Sequence, residues 1–399
     1  MRRLSALLLV LPFDAFAQVQ SVTLDEVLRI VSEGPRVHAS LRDADAARAD
    51  RDAAGAFANP SLSIGRSRPA GGERTIFDAN LQDQASLELP VPIFGQRGAR
   101  VQVAERQVER AQWQVQSTVG EARKSAALEF ARLLVAQEQL GSRLRARAEI
   151  ERIRGIVAGR LENGVASRYD LARADAELSL AAVGVQKAQA EVAEHAAAIA
   201  ALAGTGGWRP QAQGSLESLR PLPSVDADAL LDRSPALQTA RAETRAAEAR
   251  IELAQRERFP VPSIGIGRTW TSGPFGAANF LGVSSEIPIL DTRRAQEDKA
   301  RAEAAAARSR ERAIEAGLRA ELQRHLEVLR ARRAALERLK ANDASFLEMA
   351  ESAYRLGRAT LFELIDARRT QLEAADARLE LLGAIAESGI EIEAISGSL

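Results

Sequence analysis

The chain of 399 residues contains no cysteine. That excludes disulfides, a thiolate nucleophile, thiolate metal centres and a thiol for lipid attachment. Two methionines and three histidines leave little for a soft-metal site. His38, His195 and His325 stand apart from one another on helical segments and read as surface or packing residues. Lysines plus arginines equal aspartates plus glutamates at 54 each, so no bulk charge draws the chain to nucleic acid or anionic lipid. Aromatic residues make up only 4%. No nucleophile, base and orienting group share a convincing spacing, and no phosphate loop is present. Gly265-x-Gly267 opens no helix and lacks the rest of a dinucleotide fingerprint. The sequence therefore assigns no catalytic, cofactor-binding or metal-ligating residue, and an enzyme is not expected.

Long apolar runs are also missing. A short one lies at the start, where Arg2 and Arg3 precede Leu4 to Leu11 and Ala15-Phe16-Ala17 forms an A-x-A cleavage signal. This reads as a secretory leader over 1–17, with a mature chain starting at Gln18. The run is too short to cross a bilayer as a helix.

What is present comes in duplicate. Asn59-Pro60-Ser61-Leu62-Ser63-Ile64-Gly65-Arg66 recurs as Val261-Pro262-Ser263-Ile264-Gly265-Ile266-Gly267-Arg268. Val91-Pro92-Ile93-Phe94-Gly95-Gln96-Arg97 recurs as Ile287-Pro288-Ile289-Leu290-Asp291-Thr292-Arg293. Gly164-Val165-Ala166-Ser167-Arg168-Tyr169-Asp170-Leu171 recurs as Gly357-Arg358-Ala359-Thr360-Leu361-Phe362-Glu363-Leu364. The order is kept at offsets of roughly 190 to 200 residues, far beyond a solenoid period, so one large unit is duplicated. The first repeat is placed at 18–212 and the second at 213–399.

Each half reads helix, helix, strand, strand, long helix, helix. In the first half, strands are predicted at about 61–67 and 84–92, a long helix at about 96–160 and another at about 167–203. In the second, strands are predicted at about 263–271 and 280–288, with helices at about 292–354 and 360–395. A short helix capped by Thr23 and a second opened by Pro35 precede the first pair of strands. Uninterrupted helices of roughly 63 residues would be about 95 Å long. The two shorter helices of each half sum to a similar length, so they can stack end to end beside the long one. The fold class is mainly α with a small β part.

The strands alternate. Leu281, Val283 and Ile287 share one face against Gly282, Ser284 and Glu286; Ile264, Ile266 and Trp270 share another, broken by Arg268. One apolar and one polar face suits a barrel with lipid outside and water inside, and Trp270 suits an interface. The same alternation also fits a β patch packed on a helix. A barrel needs at least about eight strands, so a chain with four must assemble with copies of itself.

The duplicated Pro-Ile-Phe/Leu segments followed by Arg, and the duplicated Leu…Gly…Ser/Thr…Leu tips, resemble the TolC-type outer-membrane efflux proteins over essentially the whole mature chain. Phe94-Gly95-Gln96-Arg97-Gly98-Ala99-Arg100 resembles the CzcC-like, heavy-metal branch. The resemblance implies a homotrimer with a shared twelve-stranded transmembrane β-barrel in outer-membrane lipid and a periplasmic α-barrel tunnel of long antiparallel helices. It implies a periplasmic adaptor (membrane-fusion protein) and an inner-membrane pump of RND type as partners, with no cofactor. The function implied is a passive outer-membrane conduit of a tripartite system, exporting heavy-metal cations or other toxic small molecules.

By the same resemblance, Leu161, Gly164, Leu356 and Gly357 at the tips contact the adaptor. Glu363 and Asp366 match the family's gate acids, and Asp170 and Tyr354 match other members of its gate network. Ala359 departs from the gate network, since the family's best-known member has an arginine there, and this puts a tip-to-tip salt bridge through that position in doubt. Ser167-x-x-Asp170 and Thr360-x-x-Glu363 also have capping-box spacing, and Arg369 is within helix reach of Asp366. Arg173 holds the first-half position that Asp366 holds in the second. Alternative readings are a periplasmic helical adaptor or structural protein of an efflux or secretion complex, and the type I secretion or drug-efflux version of the same channel.

Overall fold

The computed structural model describes residues 19–67, 82–218, 227–271, 276–340 and 346–399. The leader expected at 1–17 lies outside them. The elements are β1 (Val19–Val22), α1 (Leu24–Ser32), α2 (Pro35–Ala54), β2 (Ser61–Ser67), β3 (Gln82–Pro90), α3 (Gln96–Glu162), α4 (Arg168–Ala203), β4 (Arg209–Ala212), α5 (Ala227–Asp232), α6 (Pro235–Arg256), β5 (Ser263–Thr271), β6 (Ala277–Ser284), α7 (Arg294–Lys340), α8 (Phe346–Arg355) and α9 (Leu361–Ser396). The fold is mainly helical with a small sheet content, and two compact units are distinguished.

One unit gathers Met1–Ala39, Ser117–Ser234 and Leu318–Leu399. Its main core surrounds Phe130 and Leu133 of α3, Ile199 of α4 and Ile390 of α9, all essentially inaccessible. Burying each such side chain is worth about 1.5–3 kcal/mol. Small residues set the spacing between helices. Ala126, Ala127 and Ala131 are buried in the same core, and a Cβ added at Gly383 of α9 would stand 2.7 Å from Val135 Cγ2 of α3. Polar ties fasten the periphery. Arg123 donates to the Ser32 hydroxyl at 2.7 Å and to the Leu399 carbonyl at 2.8 Å. Sequence patterning missed β1 and β4, which pair in parallel from Val19↔Arg209 to Val22↔Ala212. Strands of four residues are too short to show an alternation.

The other unit gathers Ser40–Gln116 and Pro235–Gly317. It carries an antiparallel sheet in the order β2-β3-β5-β6. The strand expected over 280–288 runs Ala277–Ser284. Ser284 pairs with Ser263, the first residue of β5, so 285–288 have no partner residues left, and Pro288 has no N–H to offer. The helix expected over 292–354 is seen as α7 and α8, on either side of 341–345, which lie outside the described residues.

The duplicated arginine after the second strand of each hairpin now has a physical role. Arg97 Nε donates to the Gly55 carbonyl at 2.7 Å, and Arg293 donates to the Glu257 carbonyl at 2.9 Å. Both carbonyls lie just past the C-terminal end of the helix that feeds the hairpin, where carbonyls lack helical partners and a cation is favoured. The same side chain thus closes the same junction twice. Around the first junction, Gln96 donates to the Phe259 carbonyl at 3.2 Å while Phe94 and Phe259 stack with centroids 5.3 Å apart.

The sheet presents two chemically different faces. Register places Leu62, Leu87, Ile266 and Leu281 in one row across all four strands. Leu89, Ile264 and Val283 form the next row across β3, β5 and β6. The opposite face has the rows Ser61, Glu88, Gly265, Gly282 and Ser63, Ser86, Gly267, Phe280. The apolar rows are bare, with Leu62 67% exposed and Leu281 76% exposed, and the same face also carries Arg268, Asn279 and the Arg66–Asp83 ion pair. Among the described residues no further strand pairs with β2 or β6, so both are open edges.

Candidate functional site at the helix tips

Both tips belong to the first unit and are built alike. Gly164 and Gly357 adopt the left-handed conformation, with φ of 71° and 69°. The Val165 N–H donates to the Arg160 carbonyl at 2.8 Å, and the Arg358 N–H to the Ala353 carbonyl at 2.8 Å. The two glycine N–H groups close on Leu161 and Tyr354 carbonyls at 3.0 and 3.1 Å. Each is a Schellman ending, which needs a residue free of a Cβ penalty. Three residues later a capping box starts the next helix. The Ser167 N–H and hydroxyl both donate to Asp170 Oδ2, at 2.9 and 2.7 Å. The Thr360 N–H and hydroxyl donate to Glu363 Oε2, at 2.7 and 3.0 Å.

These bonds set the state of two of the four expected gate residues. The Ser167 hydroxyl, and then its N–H, hold the Asp170 carboxyl below the usual range. The Thr360 N–H, and then its hydroxyl, do the same for Glu363. Both are ionised at neutral pH and engaged locally. Asp366 differs. It is exposed, and among the described residues its carboxylate has no ion-pair partner; Arg369, the helix neighbour in reach, lies 3.8 Å from Glu177 instead. Glu363 and Asp366 share the opening turns of α9, as their spacing requires.

Tyr354 is buried in a cluster with Ile150, Ile153 and Val157 of α3 and Leu361, Leu364 and Ile365 of α9. It joins the tips rather than standing free. The Arg160 guanidinium lies 4.4 Å from the Tyr354 ring centroid and donates to the Tyr354 carbonyl at 3.1 Å. A second cross-tip contact places the Arg173 guanidinium 5.1 Å from the Phe362 ring. The tips are thus joined by two cation–π contacts, each worth about 0.5–1 kcal/mol where exposed. Arg160 and Phe362 were not singled out from sequence, because each partner lies on a different helix.

Of the expected docking residues, Leu356, Gly164 and Gly357 are exposed and Leu161 is half-buried. Sequence reasoning missed their apolar neighbours Val165 and Tyr169, which are 74% and 71% exposed. The available signal was the recurrence of an aromatic residue at Tyr169 and Phe362, two residues after each N-cap.

The sequence profile of the family described as "Outer membrane efflux protein" matches residues 30–205 and 227–398. The cobalt-zinc-cadmium resistance protein CzcC of Cupriavidus metallidurans is 26% identical over 325 residues, covering 78% of this chain and 76% of that protein. The nickel-cobalt-cadmium resistance protein NccC of Alcaligenes xylosoxydans xylosoxydans is 29% identical over 347 residues, covering 82% and 72%. Among solved structures, the outer-membrane channel OprN superposes with a TM-score of 0.79 at 21% identity, covering 94% of this chain and 90% of that one. At that identity the likeness is one of fold.

Proposed function

The chain belongs to the outer membrane efflux protein family, and from that premise we propose that it is the outer-membrane channel of a tripartite efflux system, a passive conduit for heavy-metal cations. The observation that carries the reading is the sheet. Four strands expose a continuous apolar row on one face, carry serine, glycine and glutamate with Phe280 on the other, and among the described residues leave both edges unpaired. In lipid an open edge is untenable, so the sheet must close with others into a barrel. Among the described residues no helix is long and apolar enough to cross a membrane. Three copies would supply twelve strands. The metal cargo is supported by the relatives CzcC and NccC, both named for metal resistance.

In this reading the repeats 18–212 and 213–399 each give one hairpin to the barrel wall and one helix pair to a periplasmic tunnel. The identical tip geometry and the twin Arg97 and Arg293 junctions support it. Leu161, Gly164, Leu356 and Gly357 face a periplasmic adaptor, which joins the channel to an inner-membrane pump. Asp366, Glu363, Asp170 and Tyr354 form the gate network, with Asp366 its free carboxylate. Three copies of an inward carboxylate attract cations and resist anions. Cell fractionation tests the channel: a heat-modifiable trimer in the outer membrane is expected, and a soluble periplasmic monomer would refute it. Deletion of the gene should lower tolerance to zinc, cobalt or cadmium but not to organic toxicants; the reverse pattern would refute the metal cargo.

A further inference from the structure

His325 is buried, at 8% exposure, although it is a titratable ring. It interrupts an apolar stripe of α7, between Leu322 and Leu329, which pack with Ile392 and Ile395 of α9. A polar group in such surroundings must be satisfied. Glu321, one turn earlier on the same helix face, brings a carboxylate oxygen to 3.8 Å from His325 Nε2. Glu391 of α9 completes a trio whose ligand atoms all lie within 4.8 Å of one another.

Two side-chain cations serve this trio. Arg324 donates to His325 Nε2 at 2.9 Å, which makes Nε2 the unprotonated nitrogen. Lys124 of α3 lies 3.5 Å from Glu391. Arg324 is 62% exposed, so its head can swing into water without unpacking the core. A divalent ion brings the same two positive charges as Arg324 and Lys124, so the exchange leaves the charge balance of the trio unchanged.

We propose that Glu321, His325 and Glu391 form a site for a borderline divalent cation such as zinc, cobalt or nickel, tying α7 to α9. One imidazole and two carboxylates suit those ions better than soft Cu(I). Zinc holds such donors at about 2.0–2.2 Å, so bound ligands stand about 3.3–3.6 Å apart and the trio closes by side-chain rotations of about an ångström. This is a resident site fixed in the helical wall, distinct from cargo in transit, and it does not depend on the conduit reading.

The test uses the full-length, detergent-solubilised protein, stripped with EDTA and titrated with Zn2+ and with Co2+. One ion per chain is expected by calorimetry, with a rise in Tm and visible d–d bands for bound cobalt. Glu391→Gln should weaken binding at least about tenfold. His325→Leu continues the apolar stripe, so it should fold with a metal-free Tm at or above that of the unaltered chain while losing the cobalt bands and the Tm rise. His38→Ala and His195→Ala should leave both signals intact. No ion-dependent change in the unaltered chain, or retention of the cobalt bands in His325→Leu, would overturn the site.

Discussion

Asp366 and Arg173 occupy the same step of the helix that follows each tip, yet carry opposite charges. Arg173 is spent on the Phe362 ring, while Asp366 keeps an exposed carboxylate. On the proposed gate reading, this broken equivalence, more than the capping acids, is what sets the second tip apart. Asp366→Ala should therefore widen conductance and weaken cation selectivity in planar bilayers while leaving Tm unchanged, because no structural bond is lost. Unchanged current and selectivity would remove Asp366 from the gate. The glycines behave in the opposite way. Gly357 has a φ of 69°, and a Cβ added there would meet nothing within 4 Å, so Gly357→Ala should cost about 1–2 kcal/mol through backbone strain alone. Its Tm should fall, and Gly357→Asn, which tolerates the left-handed region, should fall less.

At the scale of elements, the capping boxes tie the tips to pH. Asp170 and Glu363 have carboxyls depressed below their ordinary values of about 3.9 and 4.3 by bonds that exist only in the folded state. Their contribution is complete above the unfolded values and is lost as pH falls through the depressed folded ones. The Tm difference between the unaltered chain and Glu363→Ala should hold steady from pH 7 to 5 and shrink toward zero below about pH 4. A difference that grew on acidification would contradict the cap. These boxes were legible in the sequence, since Ser167-x-x-Asp170 and Thr360-x-x-Glu363 are local, and so was the helical class with its alternating strand faces. The cross-tip contacts were not, because Arg160 and Tyr354 approach only once α3 and α8 are packed. His325 looked isolated for the same reason: Glu391 reaches it from another helix. From sequence Gly267 entered only as part of Gly265-x-Gly267, yet a Cβ there would stand 2.3 Å from the Phe280 ring and 2.9 Å from the Ala85 carbonyl. Gly267→Val should therefore disturb the sheet and cut recovery of the assembled form in heat-modifiability gels, whereas the same change at open Gly282 should be tolerated.

For the molecule as a whole, β2 and β6 have no outer partner among the described residues, so on the proposed channel reading a lone chain is an incomplete object in a bilayer. Every property of the finished channel must then come in multiples of one chain's contribution, and so must the proposed gate, with one Asp366 carboxylate per chain. Co-expressing the unaltered chain with an Asp366→Ala chain makes that countable. If three chains close the barrel, single-channel recordings should fall into four conductance classes: the two pure assemblies and two mixed ones. Their frequencies should follow binomial weights as the expression ratio is varied. A count set by the dimer would give three classes, and a gate confined to each chain's own tips would give mixtures of unaltered and altered currents with nothing in between. The steps between classes would also separate electrostatics from shape. A ring whose charge is removed one carboxylate at a time should lose cation selectivity progressively and most strongly at low salt, where screening is weakest. Steps that ignore ionic strength would assign the Asp366 effect to pore width instead.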